Sequence, residues 1–233
     1  MRKYALFTLT RPKSQVSEAF RALRTNLRFS NVDHELKIIL FTSAGPGEGK
    51  SSTVANLGVS IAQLGEKVLV IDADLRNPSQ HKIMGLENNK GLSTSLVTSV
   101  SFLEQIQHSQ EANLDFLTSG PIPPNPAELL GSMRMKQLLN EAAEAYDIVL
   151  VDTSPTIAVT DSSVLAQLVD GVVLVLGAGE VSRNYALITK EQLEKVGAKI
   201  IGVVLNKVEL NTEEYYYYSY YGTKHTKSKS RRG

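Results

Sequence analysis

Five short apolar runs punctuate the chain, at 37–42, 67–71, 148–151, 172–176 and 199–205. Each is rich in Val, Ile and Leu without strict polar alternation, which predicts strands covered on both faces of a sheet. A sixth run, 114–117, is a weaker candidate. Between them, helical spacing of apolar positions predicts helices over 52–64, 132–145, 161–168 and 183–195. Strands alternating with helices predict an α/β fold with a mostly parallel central sheet flanked by helices on both faces. Two segments depart from this alternation. Residues 14–29 read as an amphipathic helix with Val16, Phe20, Leu23 and Leu27 on one face. Residues 211–233 lose all aliphatic periodicity and read as a flexible tail behind a domain of residues 1–210.

The bulk properties narrow the function. With 233 residues the chain is long enough for one large α/β domain. A formal charge of +1 argues against a whole-domain electrostatic grip on nucleic acid or membrane. Having no cysteine, the chain cannot use disulfides, thiol catalysis or cysteine metal sites. Its apolar runs fall short of the roughly 20 residues needed to span a bilayer, and the first residues lack the apolar region of a signal peptide. The expected location is cytoplasmic, with any membrane association supplied by a partner.

Candidate chemistry begins after the first run. Ala44, Gly45, Pro46, Gly47, Glu48, Gly49, Lys50 and Ser51 follow a strand and open a helix, the context of a phosphate-binding P-loop. Ala44 stands where the first glycine is usual, and its small size suits that position. Gly45, Gly47 and Gly49 let the backbone point N–H groups at phosphate oxygens, and the helix start adds its positive dipole end. Lys50 would reach the β- and γ-phosphates and Ser51 would ligate Mg²⁺. The fold class expected is therefore that of a P-loop NTPase.

Acidic partners stand at two strand ends. Asp72 and Asp74 follow the second run, and alternation along an extended chain would point both the same way. Asp152 ends the run at 148–151 in the place of a Walker B carboxylate. Ligands of open α/β sheets lie beyond the carboxyl ends of strands, where all three aspartates sit. After the last run, Asn206 offers a donor and an acceptor to a purine edge. With Lys207 it resembles a guanine-reading motif, although Glu209 takes the last place, so a GTPase stays open and comparing ATP with GTP binding would decide it.

Together these pieces resemble the bacterial tyrosine kinases of capsule and exopolysaccharide synthesis. The resemblance runs through Walker A at 44–51, Walker A′ at 68–74, Walker B at 148–152, Leu75, Arg76 and Pro78 after A′, the segment 118–130, and a tyrosine cluster. It implies an ATP- and Mg²⁺-dependent protein-tyrosine kinase. Nucleotide would be held by Gly45, Gly47, Glu48, Gly49, Lys50, Ser51, Ser52 and Asn206. Asp72 would take the proton of the attacking tyrosine, with Lys50 as the other catalytic residue. Ser51, Asp74 and Asp152 would hold the metal. The family often reads Asp-Thr-Pro-Pro after Walker B, where this chain has Asp152, Thr153, Ser154 and Pro155, and Ser52 replaces a common threonine.

Tyr215, Tyr216, Tyr217, Tyr218, Tyr220 and Tyr221 would be the autophosphorylation sites, six of the chain's nine tyrosines. Each phosphate would add roughly −1.5 to −2 charges, enough to repel neighbours and drive disassembly. Beyond them Lys224, Lys227, Lys229, Arg231 and Arg232 form a basic end, either solvated or facing anionic lipid. In the front helix, Glu18, Arg21 and Arg24 are spaced by three. They match the family's oligomerisation motif, which implies a homo-oligomeric ring that presents one subunit's tail to its neighbour. Further partners implied are the cytoplasmic tail of a transmembrane activator, other protein substrates and a tyrosine phosphatase. Two rivals remain: a partition- or positioning-type ATPase with water as acceptor, and a noncatalytic scaffold regulated by nucleotide. Gly45 occupies the place where septum-site and partition ATPases carry an extra lysine, which counts against the first. Intact Lys50, Asp72 and Asp152 count against the second.

Overall fold

The computed structural model describes residues 6–30, 36–98 and 100–209. The tail at 211–233, with its six clustered tyrosines, lies outside the described residues.

Seven strands form one sheet: β1 (Ile38–Ser43), β2 (Val68–Asp72), β3 (Gln107–His108), β4 (Leu114–Leu117), β5 (Ile148–Asp152), β6 (Gly171–Gly177) and β7 (Ile200–Asn206). Their order is β3-β4-β2-β5-β1-β6-β7. Every neighbouring pair is parallel except β3 on β4. All six apolar runs are strands; the two-residue β3 is too short and polar to show in a hydrophobic pattern. β5 lies between β2 and β1, so it is the strand that brings their carboxyl ends to one place.

The helices are α1 (Phe7–Thr10), α2 (Gln15–Phe29), α3 (Lys50–Ala62), α4 (Gln80–Met84), α5 (Leu92–Val97), α6 (Pro126–Leu130), α7 (Met133–Ala145), α8 (Asp161–Leu165) and α9 (Arg183–Lys195). Three of the long ones start at a serine: Ser14, Ser132 and Ser182 accept hydrogen bonds from the N–H groups of Ser17, Met135 and Tyr185. α8 ends three residues before the expected 168, because the chain turns there, with the Leu168 N–H on the Leu165 carbonyl, to enter β6.

Strand side chains alternate between two apolar layers. Ile39, Phe41, Val68, Val70 and Leu150 face one layer, where they are buried with Val54 and Leu57 of α3. Leu40, Leu69, Ile71, Val149 and Val151 face the other, buried with Leu138 and Leu139 of α7. The front helix α2 packs on the first layer through Leu27, with Phe20 and Leu23 partly buried beside it. Val16 does not complete that stripe and is 40% exposed. The buried residue at this end is Ser17, whose hydroxyl donates to the carbonyls of Phe7 and Arg11 at 3.1 and 2.7 Å. Among the described residues, no helix is long and apolar enough to cross a membrane.

Candidate phosphoryl-transfer site

β1 runs straight into the loop at 44–49, and α3 begins at Lys50. Gly47 and Gly49 adopt φ of 83° and 87°, which lets the loop curl without a Cβ penalty. A Cβ on Gly49 would fall 2.0 Å from Asn206 Nδ2, so this glycine also admits a close neighbour.

Two residues read as nucleotide contacts brace the loop through their side chains. Glu48 is buried, and its Oε1 accepts from the Gly45 N–H while its Oε2 accepts from the Gly177 N–H at 2.8 Å. Asn206 Nδ2 donates to the Glu48 carbonyl at 2.9 Å. The P-loop is thus pinned to the carboxyl ends of β6 and β7, and the bond from β7 uses one of the two N–H groups of the Asn206 amide. Ser51 and Ser52 lie half-buried in the first turn of α3.

Lys50 is buried, and its Nζ lies 2.5 Å from Asp152 Oδ1 and 3.3 Å from Ser51 Oγ. Asp152 sits directly across the strand register from Asp72, and both are 0% exposed. Asp72 is held by backbone donors: Oδ2 accepts from the N–H groups of Ser79 and Gln80 at 3.0 and 2.9 Å, and Oδ1 from that of Asp74 at 3.3 Å. Burial, and then the facing Asp152, push the Asp72 carboxyl up to about 8. Asp74 is raised as well, chiefly by burial.

Asp74 reaches the site by a route other than strand alternation. β2 stops at Asp72, and the chain turns so that the Asp74 N–H folds back on Asp72 and Asp74 Oδ1 accepts from the Asn77 N–H at 3.0 Å. The turn arises because the carboxylates satisfy backbone donors that the sheet no longer pairs.

One residue that no local pattern announces joins the set. Gln80, at the start of α4, is 0% exposed, and its Nε2 donates to Asp152 Oδ2 at 2.8 Å and to the Ser51 carbonyl at 3.0 Å. Its Oε1 is buried without a partner. Beyond it, Arg76 makes a two-pronged pair with buried Asp161, Nε to Oδ2 at 2.7 Å and Nη2 to Oδ1 at 3.0 Å. That pair ties the segment after β2 to α8.

Three buried carboxylates therefore converge with Lys50 as the cation among them, an arrangement that favours a further positive charge. Among the described residues, no group of three acidic or imidazole side chains could by itself hold a metal ion. The donor set suits Mg²⁺, which takes one or two carboxylates and completes its shell with water and phosphate oxygens. The orphaned amide oxygen of Gln80 fits such a hydrated ion.

The residues expected to mediate assembly lie apart from this site. Glu18 and Arg21 pair on the surface of α2 at 2.5 Å. Arg24 instead turns inward, donating to the carbonyl and, at 3.2 Å, to the hydroxyl of Ser60 in α3. Burial, then Arg21 and Arg28, lower its pKa.

Residues 36–184 match an AAA domain family, AAA_31. Over 219 residues the chain is 48% identical to tyrosine-protein kinase YwqD of Bacillus subtilis, covering 94% of this chain and 92% of that one. The kinase domain of Escherichia coli tyrosine kinase ETK is similar in structure, with a TM-score of 0.85 and 36% identity over 91% of this chain and 84% of that one. The chimerical protein CapA2B2 has a TM-score of 0.85 and 40% identity, covering 88% and 90%.

Proposed function

The chain belongs to the tyrosine-protein kinases of its bacterial relatives, and on that premise we propose that it transfers the γ-phosphoryl group of Mg-ATP to tyrosine hydroxyls, first among them Tyr215–218, Tyr220 and Tyr221. The observation that carries this reading is the meeting of Lys50, Asp72 and Asp152 at adjoining strand ends beside the P-loop. The backbone of 45–49 and Lys50 hold the phosphates. Ser51, Asp74 and Asp152 hold Mg²⁺, which when bound neutralises charge on the transferring group. Asp72 takes the proton as the tyrosyl oxygen bonds to phosphorus and the bond to the ADP oxygen breaks. In the metal-free protein burial and Asp152 favour the protonated Asp72 carboxyl; the positive charge of bound Mg²⁺ would favour the carboxylate that this step requires.

The chain leaves β7 at Asn206, whose side chain touches the P-loop, and in sequence the tyrosine segment follows. From there it can serve its own active site or that of a neighbouring subunit in a ring built on Glu18 and Arg21. Regulation of capsule or exopolysaccharide synthesis, an activator's cytoplasmic tail that recruits the kinase to the inner face of the membrane, and reversal by a tyrosine phosphatase complete the reading.

Purified protein incubated with Mg-ATP, with and without an activator tail, and mapped by mass spectrometry tests it. Phosphate on the tyrosine cluster that vanishes in Lys50→Met and Asp72→Ala supports the kinase. ATP hydrolysis with an unmodified cluster in both conditions would move the assignment to an ATPase that uses water as acceptor.

A further inference from the structure

We propose that Gln80 is a positioning residue that couples the three parts of the site, and that its free amide oxygen accepts a hydrogen bond from a water in the hydration shell of Mg²⁺. The inference rests on the Mg-ATP reading of the site and adds a residue to it. Gln80 touches every part at once. Its backbone N–H donates to Asp72, and its side chain donates to Asp152 and to the carbonyl of Ser51 in the first turn of α3.

The amide orientation follows from its partners. The Ser51 carbonyl and the Asp152 carboxylate are both acceptors, so the NH₂ group must face them and the oxygen must face away. That leaves Oε1 buried and unpaired beside the carboxylates. An acceptor in that state costs stability. Among the described residues Gln15, His81, Ser95, Gln105 and Gln192 also hold such an atom, but Gln80 is the one whose side chain bonds Asp152. No protein donor in the structure reaches it. A hydrated divalent cation can. Its water ligands are strong donors, and Mg²⁺ keeps several of them in sites of this kind. The bond would also orient Gln80, and with it Asp152 Oδ2, to which its amide donates.

The test is nucleotide binding and does not require turnover. ADP affinity is measured by calorimetry in EDTA and in excess Mg²⁺ for the full chain, for Gln80→Met and for Gln80→Glu, and the gain on adding Mg²⁺ is compared. Gln80→Met removes the acceptor together with the amide donors to Asp152 and Ser51. Its Mg²⁺ gain should fall about tenfold, or about 1.4 kcal/mol, beyond any loss of affinity in EDTA. Gln80→Glu loses the same donors but keeps an acceptor oxygen, so its Mg²⁺ gain should exceed that of Gln80→Met. A residue that merely fills space or only holds Asp152 and Ser51 would instead give both variants the same Mg²⁺ gain, which overturns the proposal. Should Gln80→Met fail to fold, a Mg²⁺ gain lost altogether in Gln80→Glu overturns it equally. If the parent chain itself shows no Mg²⁺ gain, the reading of the site as a Mg-nucleotide site is what fails.

Discussion

Lys50 and Asp152 form an ion pair at 2.5 Å with side-chain exposures of 7% and 0%. The lysine of the P-loop and the carboxylate at the end of β5 thus neutralise one another. In the proposed site phosphate oxygens would compete with Asp152 for the ammonium group and a metal would compete for the carboxylate, so loading Mg-nucleotide would exchange one buried pair for two. Lys50→Met should abolish phosphate transfer and also destabilise the nucleotide-free protein. Removing one member of a buried pair costs about 3–5 kcal/mol, which a urea denaturation midpoint would report. A variant that is inactive but as stable as the parent would show that the pair is unimportant to the resting fold.

Acidity offers a second handle. In the folded, metal-free protein Asp72 holds its proton up to about pH 8, against a value of 3.8 in the unfolded chain, because burial and then Asp152 disfavour its charge. Between those values the folded state binds a proton that the unfolded state does not. This contribution to stability is fully present below about pH 4, falls as pH rises by up to ~1.4 kcal/mol per unit, and levels off above about pH 8. Thermal melts in EDTA should show that fall, and Asp72→Asn should flatten it. A slope that persists unchanged in the variant would place the titrating group elsewhere.

The front helix separates two kinds of arginine. Arg24 is used within the chain to hold α2 on α3, whereas Arg21 and Glu18 pair at the surface. Arg24→Ala should lower the stability of the isolated subunit by about 1.5–3 kcal/mol, the range for a hydrogen bond to a charged group. Arg21→Ala should leave thermal stability within about 0.5 kcal/mol while reducing any oligomer seen by light scattering. Equal loss of stability in both would erase the distinction.

The brace on the P-loop predicts a steric result. Gly49→Ala places a methyl where the Asn206 amide now lies, on a backbone with φ of 87°. ADP affinity should fall more than tenfold. Adding Asn206→Ala should relieve the clash and restore only part of the loss, since the left-handed backbone still costs about 1–2 kcal/mol. Full restoration would mean that the backbone strain is negligible.

How much of this was legible in the sequence depended on whether the cause was local. The strands β1, β2, β5 and β6 show because a strand buried on both faces must be apolar throughout. β7 has the same apolar run yet lies at the sheet edge with Val203 and Leu205 each 59% exposed, so the expected cover on both faces fails there. β3, at two polar residues, leaves no such mark. Ser14, Ser132 and Ser182 mark helix starts for an equally local reason. Lys50, Asp72 and Asp152 stand out because each follows a strand directly. Asp74 was expected at the site on an alternation that stops two residues too early, and a turn delivers it instead. Gln80 and the Arg76–Asp161 pair were invisible, since their meaning comes from partners far along the chain. Val16 fits the helical stripe by spacing, yet it is 40% exposed and the buried residue beside it is Ser17.

The place of β5 has a consequence for how the enzyme comes into being. The P-loop hangs from β1 and Asp72 from β2, and these strands touch only through β5, which is made much later. A chain still emerging from the ribosome lacks the wedge that sets its acidic pair, and it lacks the ends of β6 and β7 that brace its phosphate cradle. Both halves of the site should therefore be completed together, late in synthesis, once Asn206 is in place.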